Sequence, residues 1–110
     1  QEQVAKSRRA EASAVLLEAS QYMRRFYSAN DQFTSTLPAG LRQSPRDNAI
    51  TPYYTVTATV LTTSYTLTAA LTAGSAMTND KCGSYYLTSA GQRLNLKGVG
   101  TPGTIAGCWR

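Results

Sequence analysis

The sequence has no histidine, and that absence removes much of enzymology. Without an imidazole there is no Ser-His-Asp triad, no Cys-His pair and no histidine-bound metal. Only two cysteines occur, Cys82 and Cys108, too few for an all-cysteine zinc site and not arranged as a C-x-x-C redox motif. The six carboxylates (Glu2, Glu11, Glu18, Asp31, Asp47 and Asp80) are scattered, so no calcium loop of the D-x-D-x-D kind is assembled. No apolar run approaches the ~18 residues of a membrane-crossing helix. The chain is therefore read as a protein that is not an enzyme, with no catalytic residue, metal or cofactor.

What is abundant points elsewhere. Among 110 residues there are 15 Thr, 10 Ser and seven Tyr, a density of polar β-formers that suggests an exported, sheet-bearing domain with a hydroxyl-rich surface. The length is one domain's worth and long enough to bury a core. The two cysteines fit one disulfide in an oxidising compartment; two buried thiols are the alternative. A bridge would close a loop of 25 intervening residues and stabilise the fold by roughly 3.5 kcal/mol in the loop-entropy model. The chain opens on Gln1-Glu2-Gln3 with no signal peptide, so an exported protein would here be a mature or trimmed form.

Residues 1–27 predict one helix. Val4, Ala12, Val15, Leu16, Ala19, Tyr22, Met23 and Phe26 recur at helical spacing, no Gly or Pro intervenes, and Glu2 and Lys6 form an i,i+4 pair. At 1.5 Å per residue this helix is roughly 40 Å long, more than the remaining chain can cover. Its second half, from Val15, carries a broad aromatic stripe suited to a sheet. Its first half, to Ser13, is mostly Ala, Ser and charge. That half is expected to project or to pack against another chain, so that its deletion costs the domain little; a frayed, solvated terminus is the alternative.

Residues 28–52 read as an irregular linker, punctuated by Leu37-Pro38-Ala39-Gly40 and Ser44-Pro45-Arg46-Asp47-Asn48. Phe33, Leu37, Leu41 and Ile50 are spaced to anchor it. Strong β patterns follow. Tyr54-Thr55-Val56-Thr57-Ala58 returns as Tyr65-Thr66-Leu67-Thr68-Ala69, with Tyr54, Val56, Ala58 and Val60 inward on the first strand and Tyr65, Leu67, Ala69 and Leu71 inward on the second. Threonines face out, and Leu61-Thr62-Thr63-Ser64 makes the turn. A third strand is expected around Tyr85-Tyr86-Leu87-Thr88, with one tyrosine ring in the core and one on the surface; stacking on bases or sugars is the alternative for the pair. A fourth runs from Gln92 to Lys97, with Leu94 and Leu96 inward and Arg93, Asn95 and Lys97 outward. Gly98-Val99-Gly100 lacks the third glycine and the following helix of a phosphate loop.

Eleven Lys and Arg against six acids give a net charge of +5. Arg42 and Arg46 lie in the linker, Lys81 stands beside Cys82, Arg93 and Lys97 are placed on one strand face, and Arg110 ends the chain. Such a group attracts phosphate. The alternative is that +5 only keeps the domain soluble.

Taken together, Ser7-Arg8-Arg9-Ala10-Glu11-Ala12 and the stretch from Leu16 through Glu18, Tyr22 and Met23 to Tyr27 resemble the exposed part of the long helix of type IV pilins. The likeness is greatest to PilE-like minor pilins of β-proteobacteria. Tyr65-Thr66-Leu67-Thr68-Ala69, Cys82-Gly83, Leu87-Thr88, Ala90-Gly91 and Cys108-Trp109 are similar to the head of those proteins. The resemblance implies an α+β pilin fold: a long N-terminal helix packed on a roughly four-stranded antiparallel sheet, with a C-terminal region closed by Cys82 and Cys108. It divides one domain into the exposed half of the helix (1–27), an αβ-loop (28–52) and the sheet with its disulfide-bounded region (53–110).

It further implies a leader, a methylated Phe and an apolar helix ahead of Gln1. The protein would reside at the periplasmic face of the inner membrane and then assemble with other pilins into an extracellular filament. Val4, Arg8 and Ala12 would be the filament-packing positions of the helix. The implied function is structural, as a minor pilin serving adhesion, twitching motility or DNA uptake, with no small-molecule substrate. One competence class of the family, ComP-like, binds duplex DNA. By that analogy Thr62, Thr63, Lys81, Arg93, Lys97 and Arg110, together with Arg42 and Arg46, are the candidate DNA or partner surface. The single cysteine pair departs from the two pairs of that class. A type II secretion pseudopilin fits less well, because a C-terminal disulfide is more typical of pilus pilins.

Overall fold

The computed structural model describes residues 2–46 and 51–109. Helix α1 spans Glu2–Asn30, past the expected end at 27, and its 29 residues account for the 43 Å long axis of the molecule. It ends where Asp31 takes a φ of 59° and donates its N–H to the Tyr27 carbonyl at 2.8 Å, a left-handed cap that Asp tolerates better than most side chains. Val15, Leu16, Ala19 and Met23 are fully buried on the sheet, as their spacing predicts.

The sheet comprises β1 (Gln43–Ser44), β2 (Tyr54–Val60), β3 (Tyr65–Leu71), β4 (Ser84–Thr88) and β5 (Arg93–Leu96), all antiparallel and in that spatial order. Five strands replace the four expected. The extra one, β1, lies in the linker and is only two residues long, too short to show a period. The linker is tied down as its apolar residues foretold: Leu37 and Leu41 are buried, and the Phe33 ring meets Tyr65 edge-on at 4.9 Å. Ile50 lies outside the described residues.

Alternation in β2 and β3 places Tyr54, Val56, Tyr65, Leu67 and Ala69 under the helix and leaves Thr55, Thr57 and Thr59 in solvent. The register aligns Thr57 with Thr68 and Thr59 with Thr66, so the outer face carries hydroxyl rows. In β4 Tyr85 enters the core and Tyr86 does not. Burial pushes the Tyr85 phenol up to about 12, and that phenol donates to the Cys108 carbonyl at 2.9 Å.

Strand β5 has the opposite parity to the one expected. Asn95 is 2% exposed and faces the helix, whereas Leu94 and Leu96 are half-buried on the outer face. Register decides this: Asn95 stands opposite Tyr85, and directly paired residues share a face. A large buried phenol on β4 therefore carries the asparagine inward. The cost of burying it is offset because its backbone exchanges both hydrogen bonds with Gly103 (2.7 and 2.9 Å) and its amide reaches Ser84 O at 3.4 Å.

The disulfide between Cys82 and Cys108 is present, with the Cα atoms 5.7 Å apart, and it fastens the C-terminal segment to the entry of β4. Gly83, at a φ of 63°, follows directly; a side chain there would collide with the Leu96 carbonyl.

The first half of α1 does not project. Arg9 is 5% exposed, and its guanidinium forks in two directions. Nε and Nη2 donate to the Asp80 carboxylate at 2.9 Å each, while Nη1 and Nη2 donate to Glu2 at 3.0 Å each. Asp80 also accepts the N–H of Cys82 at 3.2 Å. The helix start is thus bound to the segment that leads into the disulfide. Ala12, expected on the filament-packing face, has no exposed surface and belongs to this domain's own core. Arg8 is half-buried with its guanidinium 4.2 Å from the centre of the Tyr53 ring, and Val4 is 43% exposed.

Arg9→Ala leaves the Asp80 carboxylate buried beside no cation, so urea denaturation should show a loss of about 3–5 kcal/mol. Removing residues 1–13 should likewise destabilise the domain by several kcal/mol, since Ala12 and Arg9 leave with it. A loss below about 1 kcal/mol in either case would show that the fork does not hold the helix down.

Candidate functional site

The cations expected to form one surface are divided by the fold. Lys81 and Lys97 come together. Lys81 Nζ lies 3.7 Å from the Glu2 carboxylate, and Lys97 Nζ reaches the Asn79 carbonyl at 3.5 Å. The backbone of Lys97 also passes against Gly83. Both lysines therefore stand, exposed, where the segment 79–83 meets the start of α1 and the end of β5. Arg8 borders the same end, beside a shallow depression between Glu2 and the loop 75–80.

Arg93 is placed differently. It opens β5 opposite Leu87, on the helix side of the sheet, whereas Lys97 lies just past the end of the strand. Its guanidinium lies 5.5 Å from the Trp109 ring centre, and it lines a cleft of about 310 Å³ together with Arg24 of the helix. Arg42 turns back to donate from Nε to the Leu37 carbonyl at 2.6 Å, and Arg46 is paired with Glu18 at 2.9 Å. Both lie beside β1, at the opposite edge of the sheet from β5, roughly 19 Å away at four strand spacings. Thr62 and Thr63 are exposed in the β2–β3 turn. Arg110 lies outside the described residues.

Two residues escaped the sequence reading. Arg9 belongs in sequence to a half-helix of Ala, Ser and charge, yet it is buried; its periodic position with Ala12, Leu16 and Ala19 is the signal that could have shown this. Arg24 looks like any polar helix residue in sequence, and only the turn between β4 and β5 brings a second arginine to it.

The acids are occupied. The fork from Arg9, aided by Lys81, holds the Glu2 carboxyl down to about 2. Arg46 lowers that of Glu18 in the same way. Burial raises the Tyr54 phenol, whose oxygen has no hydrogen-bond partner among the described residues. With three carboxylates engaged in ion pairs, the outward field of the head is set by its lysines and arginines.

The outward face of α1 carries Val4, Ser7, Ala10, Ala14 and Leu17, a continuous stripe at spacings of three and four. Small residues there permit close approach of another helix. Ala12 is not part of this exposed stripe.

Comparison with known proteins agrees with this architecture. The sequence profile of the family described as "Type IV minor pilin ComP, DNA uptake sequence receptor" matches residues 1–86. A type IV pilin from Shewanella oneidensis superposes with a TM-score of 0.66, over 96% of this chain and 97% of that one, at 25% identity. No curated protein sequence matches the chain.

Glu2 supplies a test of the helix start. Its carboxyl is held at about 2 in the fold against ~4.3 in an unfolded chain, so its contribution is complete above about pH 4.3 and is lost as pH falls through about 2. In an NMR titration its side-chain carbon should respond with a midpoint near 2. The difference in melting temperature between the native chain and Glu2→Gln should shrink over that same acid window. A midpoint near ~4.3 would show that the Arg9 fork does not close in solution.

Proposed function

This chain belongs to the family of the type IV minor pilin ComP, DNA uptake sequence receptor, and we propose that it binds duplex DNA through the head it presents on a type IV pilus. As a minor pilin it is a filament subunit, and the pilin fold is that of a structural protein. The reading involves assembly and binding, with no catalytic step.

Assembly would use the outward stripe of α1, from Val4 to Leu17, against neighbouring pilin helices. The apolar segment expected ahead of Gln1 would hold the subunit at the inner membrane beforehand. Among the described residues no helix is long and apolar enough to cross a membrane. Once assembled, the subunit would stand in an extracellular pilus with the head outermost.

The geometric observation that best supports DNA binding is the exposed pair Lys81 and Lys97 beside the disulfide. A duplex carries one negative charge per about 1.7 Å of axis, and each phosphate neutralised by a lysine releases a condensed counterion. Two ammonium groups at one end of a net-positive head would supply sequence-independent affinity and a fast encounter. Thr62 and Thr63 expose their hydroxyls in the β2–β3 turn, at the opposite end of the strands from the two lysines, where they would make a separate contact.

Titration of the 110-residue chain into fluorescently labelled duplex at about 50 and about 150 mM salt tests this. Binding in the micromolar range is expected, weakening steeply with salt. Lys81→Ala with Lys97→Ala should reduce affinity about tenfold and flatten the salt dependence. No binding even at about 50 mM salt would leave the positive charge as a solubility feature and the protein as a filament subunit alone.

A further inference from the structure

We propose that the outer face of the sheet binds a neutral polysaccharide, with Tyr86 as the platform for one sugar ring and the paired threonines of β2 and β3 as hydrogen-bonding partners. The inference is independent of DNA binding. It concerns the face of the sheet turned away from α1 and uses none of the lysines.

Register defines this face. Thr57 pairs with Thr68, Thr68 with Tyr86 and Tyr86 with Leu94, so these four side chains form one row across the sheet. Thr59, Thr66 and Thr88 form the row beside it, toward the β2–β3 turn. Eleven basic and six acidic residues occur in the chain, yet none of them occupies an outward position in β1 to β5. Thr55 and Thr88 commit their hydroxyls within the protein, to Thr72 and Gln92. Those of Thr57, Thr59, Thr66 and Thr68, and the Tyr86 phenol, have no hydrogen-bond partner among the described residues.

Such a face selects its ligand by exclusion and by fit. With no cation on it, it offers nothing to phosphate, so neither nucleic acid nor an anionic lipid headgroup is held there. A stable protein partner needs about 800 Å² on each side. This face measures roughly 19 Å across four strand spacings and roughly 14 Å from Thr55 to Thr59, well short of that. A neutral polysaccharide satisfies both limits. Its hydroxyls donate and accept, as those of threonine do, so each is matched without charge. The apolar side of a sugar ring lies flat on an aromatic ring. Tyr86, half-buried between Thr68 and Leu94, offers that ring and leaves its phenol for a sugar hydroxyl. The threonine pairs stand about 5 Å apart across the strands and about 7 Å along them. Being β-branched, they hold their hydroxyls in place and lose little side-chain freedom on binding. The row from Thr57 to Leu94 runs for roughly 14 Å, room for more than one sugar unit.

The test is retention of the 110-residue chain on insoluble cellulose and on insoluble chitin, both neutral, at about 50 mM and about 1 M salt. Retention on at least one polymer is expected, and salt should not weaken it, since no ion pair is involved. Tyr86→Ala should lower affinity about tenfold, and Tyr86→Phe, which keeps the platform, should lower it less. Thr57→Val with Thr68→Val removes two hydroxyls while keeping the side-chain shape, and should lower affinity severalfold. Lys81→Ala with Lys97→Ala should leave retention as it is, and duplex DNA should not compete. Melting temperatures confirm that each variant is folded. Absence of retention on both polymers overturns the proposal. So does retention that disappears at about 1 M salt, or that the folded Tyr86→Ala or threonine variant leaves unchanged. If sedimentation shows the chain associating with itself through a contact that Tyr86→Ala breaks, the face belongs to a second copy and the proposal fails. The DNA-binding reading stands or falls separately, on the duplex titration.

Discussion

The position of the whole head relative to the helix depends on the guanidinium of Arg9. It is the point where three distant parts of the chain meet: the helix start at Glu2, the loop that ends at Asp80, and, through the Cys82 N–H, the disulfide. A planar fork with donors on two edges can serve two carboxylates at once, which an ammonium cannot do with comparable geometry. Buried ion pairs of this kind add little to stability compared with an apolar contact, yet they tolerate only one arrangement. The effect here is to fix the angle at which α1 crosses the lower end of the sheet. Lys81 and Lys97 are placed as a consequence, since both belong to the segments that this junction holds.

The same junction shapes the electrostatics. The Arg9 fork joins the buried Asp80 and the exposed Glu2 around one cation, and the exposed Glu18 is paired with Arg46. Asp80 is thereby taken out of the surface, while Glu2 and Glu18 stay there as members of ion pairs. A modest net charge becomes a head whose exposed ionic groups are weighted toward lysine and arginine. They are not, however, one patch. The sheet order sets Arg42 and Arg46 at one edge and Lys97 at the other, and the helix length separates Arg24 from the lysine end.

Much of the architecture was legible in the sequence because it follows from short periods. The alternation of Tyr54 to Val60 and Tyr65 to Leu71 needs no partner to reveal which face is buried, and the stripe from Val15 to Phe26 needs none either. The cysteine pair was legible as a bridge between the third long strand and the C-terminus. What was hidden depends on pairing. β1 exists only because β2 offers it an edge, and Asn95 is inward only because Tyr85 opposes it. Arg9 was hidden because charge is ordinarily a mark of exposure, and its two carboxylate partners are seven and 71 residues away. The candidate surface was legible as a set of residue types but not as a place, since β-sheet order and not sequence distance decides which cations are neighbours.

The closing of the sheet's two edges has a consequence for polymerisation. At one edge stands a strand of two residues, and at the other the backbone of Asn95 is already paired with Gly103 while the Leu94 carbonyl accepts the Trp109 indole N–H. Among the described residues the β5 edge is thus covered, and at the other edge only β2 beyond Val56 has no strand beside it, which leaves little backbone on which another chain could add a strand. Joining sheet to sheet, a mode that has no fixed endpoint and is hard to reverse, is thereby opposed along most of both edges. Contacts between helices carry no such open edge and can be made and unmade one folded subunit at a time.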